Sequence, residues 1–176
     1  MQLVPIHALV LASFCANVPA LPGLPKGVRE EMEVMNGPDR WTRITVPVVP
    51  MGVPAPEVAG LLTAFLYTRD ERQLMRALIG IDVASPPSYS PTTSPAAEPE
   101  YELESDIHDA ILHTSLLLSS TPLPVLTHRA KNIAALWRNA CAMGVHESSV
   151  WRAVEASWAV IVGAVAVASG RQQEGN

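Results

Sequence analysis

The sequence predicts a mainly α-helical protein of about five helices, with a proline-rich N-terminal arm, one short β-strand and an internal proline-rich tether. Apolar residues recur at helical spacing on both sides of the tether. Eight prolines between residues 17 and 56 exclude long regular structure in the arm, and five between residues 85 and 99 exclude a helix or central strand there. We divide the chain into an arm (1–55), a helical segment (56–84), a linker (85–103) and a helical lobe (104–176) that forms one domain with the helical segment.

The arm is expected to hold only short elements. The stretch from Val28 to Met35 has the composition of a short helix, and the alternation from Trp41 to Val49 predicts an edge strand ended by proline. Such an arm gains order by lying across another surface, of the same chain or of a neighbour.

Helical periodicity begins at Pro56, a residue type that suits the first turn of a helix, and continues to Tyr67. Asp70 is the predicted N-cap of a second helix, in which Leu74, Leu78 and Ile81 mark the core stripe at i, i+4 and i+7.

The lobe is predicted to contain three more helices. The clearest core face belongs to the second of them, where apolar residues follow the i, i+3, i+4, i+7, i+11 pattern at Ala130, Ile133, Ala134, Trp137 and Cys141. The predicted caps of the first two are Ser105 and Thr127, and the pattern of the last helix runs from Ser148. The predicted ends of the last two helices are Gly144 and Gly170.

The last helix is apolar on all sides, which places it at the centre of the fold or between subunits. Its uninterrupted apolar run, from Ala156 to Ser169, is shorter than the roughly 20 residues that span a bilayer, so no transmembrane span is predicted. The predicted assembly interface consists of Trp151, Trp158, Ala159, Val160, Gly163 and Val167.

Composition also favours assembly. Of the 176 residues, 48% are apolar and only 16% are charged, below the quarter typical of soluble domains. So few charges indicate that part of the surface is covered by other subunits. The net charge of −5 does not favour nucleic acid as a partner of the whole chain.

The densest basic patch is predicted on the second helix, where Arg69, Arg72 and Arg76 are spaced i, i+3, i+7. Phosphate or RNA is one candidate ligand. The favoured partner is the acidic run between residues 98 and 109, in the same subunit or an adjacent one.

The linker contains a match to the Pro-Pro-x-Tyr ligand of WW domains, at Pro86, Pro87 and Tyr89. A proline-rich tract produces this motif easily by chance. A WW-domain partner is therefore an alternative, and the linker is interpreted mainly as a spacer.

No catalytic residue, cofactor or metal site is predicted. The sequence has no P-loop, no Gly-x-Ser-x-Gly elbow and no Gly-x-Gly-x-x-Gly fingerprint. The only acidic and histidine cluster, around Asp109 and His113, has too few further ligands for a metal centre.

These observations favour a non-enzymatic structural subunit that assembles with itself or with other subunits. The hypothesis in its narrowest form is a viral coat or capsid-associated protein, in the virion or the host cytoplasm. The alternatives are a WW-binding adaptor or matrix-type protein and a secreted interaction protein. Secretion is the less favoured of these, because a secretory leader begins with positively charged residues and the apolar residues 1–16 contain no Lys or Arg.

Overall fold

The computed structural model of the chain is mainly helical, as predicted. It describes residues 4, 6–18, 20, 32–36, 39–43, 48–81 and 100–174. The tether therefore lies largely outside the described residues. The helices are α1 (Ala8–Phe14), α2 (Ala59–Thr68), α3 (Glu71–Ile79), α4 (Glu100–Leu118), α5 (Leu123–Met143) and α6 (Ser148–Glu174), and the strands are β1 (Met32–Asn36) and β2 (Asp39–Arg43).

The arm holds more regular structure than predicted, since it contains α1 and a β-hairpin. The predicted helix from Val28 to Met35 is wrong, because Met32–Asn36 is a strand that pairs antiparallel with Asp39–Arg43. The Asn36-Gly37 dipeptide in the sequence is a strong hairpin signal that the helical interpretation overlooked. The predicted edge strand is present only in its first part, and residues 44–47 lie outside the described residues.

The boundaries of α2 and α3 confirm the sequence analysis. Pro56 opens a 3-10 turn that leads into α2. Asp70 caps α3, and its side-chain oxygen accepts a hydrogen bond from the Gln73 amide at 3.0 Å. Leu74 and Leu78 are buried, as their spacing predicts.

The predicted caps of α4 and α5 are wrong, because both helices begin one turn or more earlier. Ser105 lies inside α4, whose first turn is rich in glutamate, a residue that favours the positive end of the helix dipole. Thr127 lies inside α5 and donates its hydroxyl to the Leu123 carbonyl at 2.9 Å. Gly144 does end α5, in the left-handed conformation (φ 63°) that glycine adopts without steric cost.

Helix α6 begins at Ser148, as predicted, but does not end at Gly170. It continues to Glu174. The Arg171 guanidinium donates a hydrogen bond to Ser119 Oγ at 2.8 Å, which ties the last turns of α6 to the end of α4. This tertiary contact offsets the cost of about 1 kcal/mol that glycine brings to a helix interior.

Helix α6 packs against α3, α4 and α5. Against α4 the approach is close, because a Cβ on Gly163 would lie 2.6 Å from Ser115 Oγ. Ser115 Oγ also donates a hydrogen bond to the Val160 carbonyl, at 3.0 Å. Among the described residues, α6 is the one helix long and apolar enough to cross a membrane by length and composition. Within Ser148–Arg171 an 18-residue window has a mean hydropathy of 1.6, and a third of that window is buried.

A buried amide joins the segment before α2 to α5. Asn139 is fully buried, and its Oδ1 accepts a hydrogen bond from the Ala55 amide at 2.8 Å. Its Nδ2 donates to the Ala55 carbonyl at 2.7 Å. Both backbone groups of Ala55, which is itself buried, are therefore satisfied by one side chain.

The N-terminal arm docks on the turn between α5 and α6. The Ala16 amide donates to the Gly144 carbonyl at 2.9 Å, and the Asn17 amide donates to the Met143 carbonyl at 3.0 Å. The same chain thus supplies the surface that orders this part of the arm.

Three side chains reinforce this docking, and we call Phe14, Arg69 and Glu147 the clasp. Arg69 adopts a left-handed conformation (φ 53°) after α2, and its guanidinium lies over the Phe14 ring, 5.3 Å from the centroid. Arg69 also forms an ion pair with Glu147, in the turn before α6. These contacts offset a backbone strain of about 1 kcal/mol.

Replacing Asn139 by Ala is expected to lower the free energy of unfolding by about 1 to 3 kcal/mol, because the buried Ala55 amide would lose its partner and the Ala55 carbonyl would keep only the hydrogen bond from the Val58 amide at 3.3 Å. Asn132→Ala is the matched control on the same helix, since Asn132 is only half-buried and its one side-chain hydrogen bond among the described residues is to His128, at 3.4 Å. Urea denaturation measures both variants. Equal losses would contradict the importance of the buried amide.

Replacing Glu147 by Gln is expected to destabilise the protein at neutral pH and to matter less in acid. A hydrogen bond from Ser149 Oγ, at 2.9 Å, and the charge of Arg69 hold the pKa of Glu147 below its ordinary value of 4.5. A lowered folded-state pKa stabilises the protein above pH 4.5, and this contribution is lost as the pH falls through the folded-state pKa.

The measurement is urea denaturation of the wild type and of Glu147→Gln, from neutral pH to well below 4.5. Glu57→Gln makes the same chemical change at an exposed glutamate outside the clasp. A stability difference between wild type and Glu147→Gln that stays constant across this range would contradict the prediction.

Candidate functional site

An apolar groove lies between α5 and α6, on the side of α6 that faces away from the core. It has a volume of about 530 Å³. Three tryptophan side chains line it, one from α5 and two from α6. The groove is lined by Ile133, Ala134 and Trp137 of α5 and by Trp151, Val154, Glu155 and Trp158 of α6.

The two helices position the tryptophans differently. Trp151 is half-buried, and its indole N–H donates to the Val145 carbonyl at 3.1 Å, which fixes the ring against the turn between the helices. Trp137 and Trp158 are 49% and 47% exposed. Together the two rings offer a large apolar area and two hydrogen-bond donors at one site, a combination that is typical of binding surfaces.

Charge is distributed unequally on the two rims of the groove. Glu155 is the one ionisable residue of the lining, and it has no ion-pair partner among the described residues. On α5, Arg138 follows Trp137 and lies one turn after Ala134. Its Nε donates to the Ala134 carbonyl at 3.4 Å, so the side chain lies back along the α5 rim. Lys131, one turn before Ala134, is also exposed.

Only part of the predicted assembly interface faces this groove or solvent. Trp158 and Ala159 are exposed, whereas Val160 is fully buried and Gly163 packs against Ser115 of α4. The close approach predicted from small residues therefore occurs within the chain. The remaining residues of the predicted set, Trp151 and Val167, are half-buried.

The predicted core face of α5 is correct only at its inner edge. Ile133 is buried, but Trp137 and Cys141 are exposed, which corrects the expectation that both lie in the core. The true core residues of α5, including Leu136 and Ala140, lie further round the helix. Helical periodicity found the apolar side of α5 but could not show that a neighbouring helix covers only half of it.

The three-arginine patch does not form on one helix. Arg69 precedes α3, adopts a left-handed backbone and pairs with Glu147. Arg72 is exposed, and Arg76 lies in the last turn of α3 with a contact of its own. Of the acidic run predicted as partner, only Asp109 has a described side chain, and it is exposed.

The other predicted site residues add no chemistry to the groove. The candidate WW ligand, Pro86, Pro87 and Tyr89, lies outside the described residues. Burial raises the pKa of the Cys15 thiol above its ordinary value, so Cys15 is less reactive than an exposed cysteine. Among the residues that the structure describes, no three His, Cys, Asp or Glu side chains lie together as metal ligands would.

Comparisons with known proteins identify a family and no individual relative. No curated protein and no solved structure matches the chain significantly. A model of the Clampless protein 1 N-terminal domain matches residues 1–54, which include α1 and the hairpin. A model of the Clampless protein 1 C-terminal domain matches residues 72–175, which include both helices of the groove. Because this second match spans more than half of the sequence, the chain belongs to the Clampless protein 1 family.

Proposed function

We propose that this chain is a non-enzymatic assembly subunit that associates through the α5–α6 groove. The observation that supports the proposal is the pair of half-exposed tryptophans, Trp137 of α5 and Trp158 of α6. Helix α6 itself is apolar on all sides from Ala156 to Ser169. Aromatic residues at the centre of an apolar patch are the residues that supply most of the binding energy in protein interfaces.

The chemical character of the groove favours binding over catalysis. Its lining consists of aliphatic and indole side chains with a single carboxylate, Glu155, and contains no nucleophile beside a base. Covering the exposed parts of the rings removes apolar area from water, which stabilises a complex by roughly 25 cal/mol per Å² before the cost of association is subtracted.

The proposal keeps the assembly role predicted from the sequence and moves the interface. The surface now centres on Trp137, Trp158 and Glu155 instead of Val160 and Gly163, which α4 already covers. The viral coat form of the hypothesis, the WW-binding adaptor and secretion remain predictions from composition and motif. None of them is needed for assembly through the groove.

Replacing Trp158 by Glu is expected to abolish association, because a charge would enter an apolar interface and lose its hydration. The mass measured by light scattering should fall to that of a single chain, while the melting temperature stays near the wild-type value. Leu9→Glu is the control, since Leu9 is 77% exposed on α1. Retention of the wild-type mass by Trp158→Glu would contradict the proposal.

A further inference from the structure

We infer that the partner in the groove is a second copy of this chain, bound about a two-fold axis so that Glu155 of each copy pairs with Arg138 of the other. This inference rests on the proposed assembly function and specifies its partner and geometry. Three features lead to it: a groove without an apolar cover, the carboxylate of Glu155 in its lining and the exposed guanidinium of Arg138 beside the lining on α5. Neither charged group has an ion-pair partner among the described residues.

The groove has a shape that a helix of the partner can fill. Consecutive helices α5 and α6 are joined by a short turn and leave a trough between them, a surface onto which another helix packs. Trp151 and Trp158 are seven residues apart on α6, which corresponds to about 10 Å along the helix axis. An apolar stripe of two helical turns on a partner would fill this length.

The charges restrict which partner fits. A carboxylate enclosed by an interface without a cation loses its hydration and destabilises the complex. Glu155 lies between Trp151 and Trp158 and has no ion-pair partner among the described residues, so a partner must bring a cation to the α6 rim. By the same reasoning, Arg138 on the α5 rim requires an anion.

A second copy supplies both charges at once. In a two-fold contact the same patch is used by both partners, so each interaction between residues i and j occurs twice. Placing α5 of one copy against α6 of the other gives a four-helix arrangement, in which Glu155 faces Arg138 across the axis on both sides. Lys131 adds positive charge to the same α5 rim. The acidic side of the groove, on α6, therefore complements the basic side, on α5, of a second copy.

Small residues on the outer surface are compatible with such a contact. Ala134 on α5 and Ala159 on α6 flank the tryptophans and let a neighbouring helix approach closely. Half-exposed Val162 continues the apolar stripe of α6 beyond Trp158. Glu155 is thus surrounded by apolar side chains in the groove lining, whereas Arg138 and Lys131 lie outside that lining on α5.

Charge reversal tests this geometry. Glu155→Arg and Arg138→Glu each place like charges opposite one another at two positions in a dimer. Each variant alone is expected to weaken the dimer by roughly a hundredfold in Kd. An equimolar mixture of the two should form a heterodimer of wild-type mass, because each mutated side chain then faces an opposite charge. The double variant should recover the homodimer for the same reason.

Sedimentation velocity of the full-length variants measures these masses, and Glu57→Arg controls for the change in net charge. The wild-type dimer could be dissociated by Trp158→Glu and yet stay intact in both charge-reversal variants. That result would overturn the inference and leave the proposed function standing. A wild-type chain that is monomeric at all concentrations would overturn both the inference and the proposed function. A monomer that binds phosphatidylcholine vesicles through Trp158 would do the same.

Discussion

The structure depends on the need to cover α6, a 27-residue helix that is apolar on every side from Ala156 to Ser169. Three helices of the same chain cover part of it, and they bury Val160, Ile161 and Ala164 completely. Trp158 and Val162 point away from these helices and stay half-exposed. The cover of α6 is thus incomplete at Trp158 and Val162, and leucines of α4, among them Leu116 and Leu117, are exposed as well.

The surrounding contacts hold this groove in a fixed shape. The turn between α5 and α6 accepts hydrogen bonds from Ala16 and Asn17 of the arm, and the Trp151 indole bonds to Val145 in the same turn. Asn139 ties the buried side of α5 to the segment before α2. A surface that is ordered before binding loses less conformational entropy on association, which favours affinity. The N-terminal part of the chain therefore supports the groove without lining it.

Much of the helical framework was predictable, because it depends on local chemistry. Asp70 as a cap, Pro56 in a first turn and Gly144 at a helix end act within a few residues of themselves. Some errors were local, since the Asn36-Gly37 hairpin signal was overlooked and Ser105 and Thr127 lie inside helices that they were predicted to cap. Others arose where distant contacts decide the outcome. Gly170 does not end α6 because Arg171 reaches Ser119, and Arg69 leaves the basic patch because it pairs with Glu147. Periodicity placed Trp137 and Trp158 on apolar faces, but only the packing of neighbouring helices shows that these faces are partly uncovered.

The most direct test of the account is the mass of the unaltered chain across a concentration series, measured by sedimentation equilibrium. If a second copy covers the groove, the mass should rise from 18.9 kDa in dilute solution to twice that value and then stop rising, because a two-fold contact is closed. A mass of 18.9 kDa at every concentration would contradict the account.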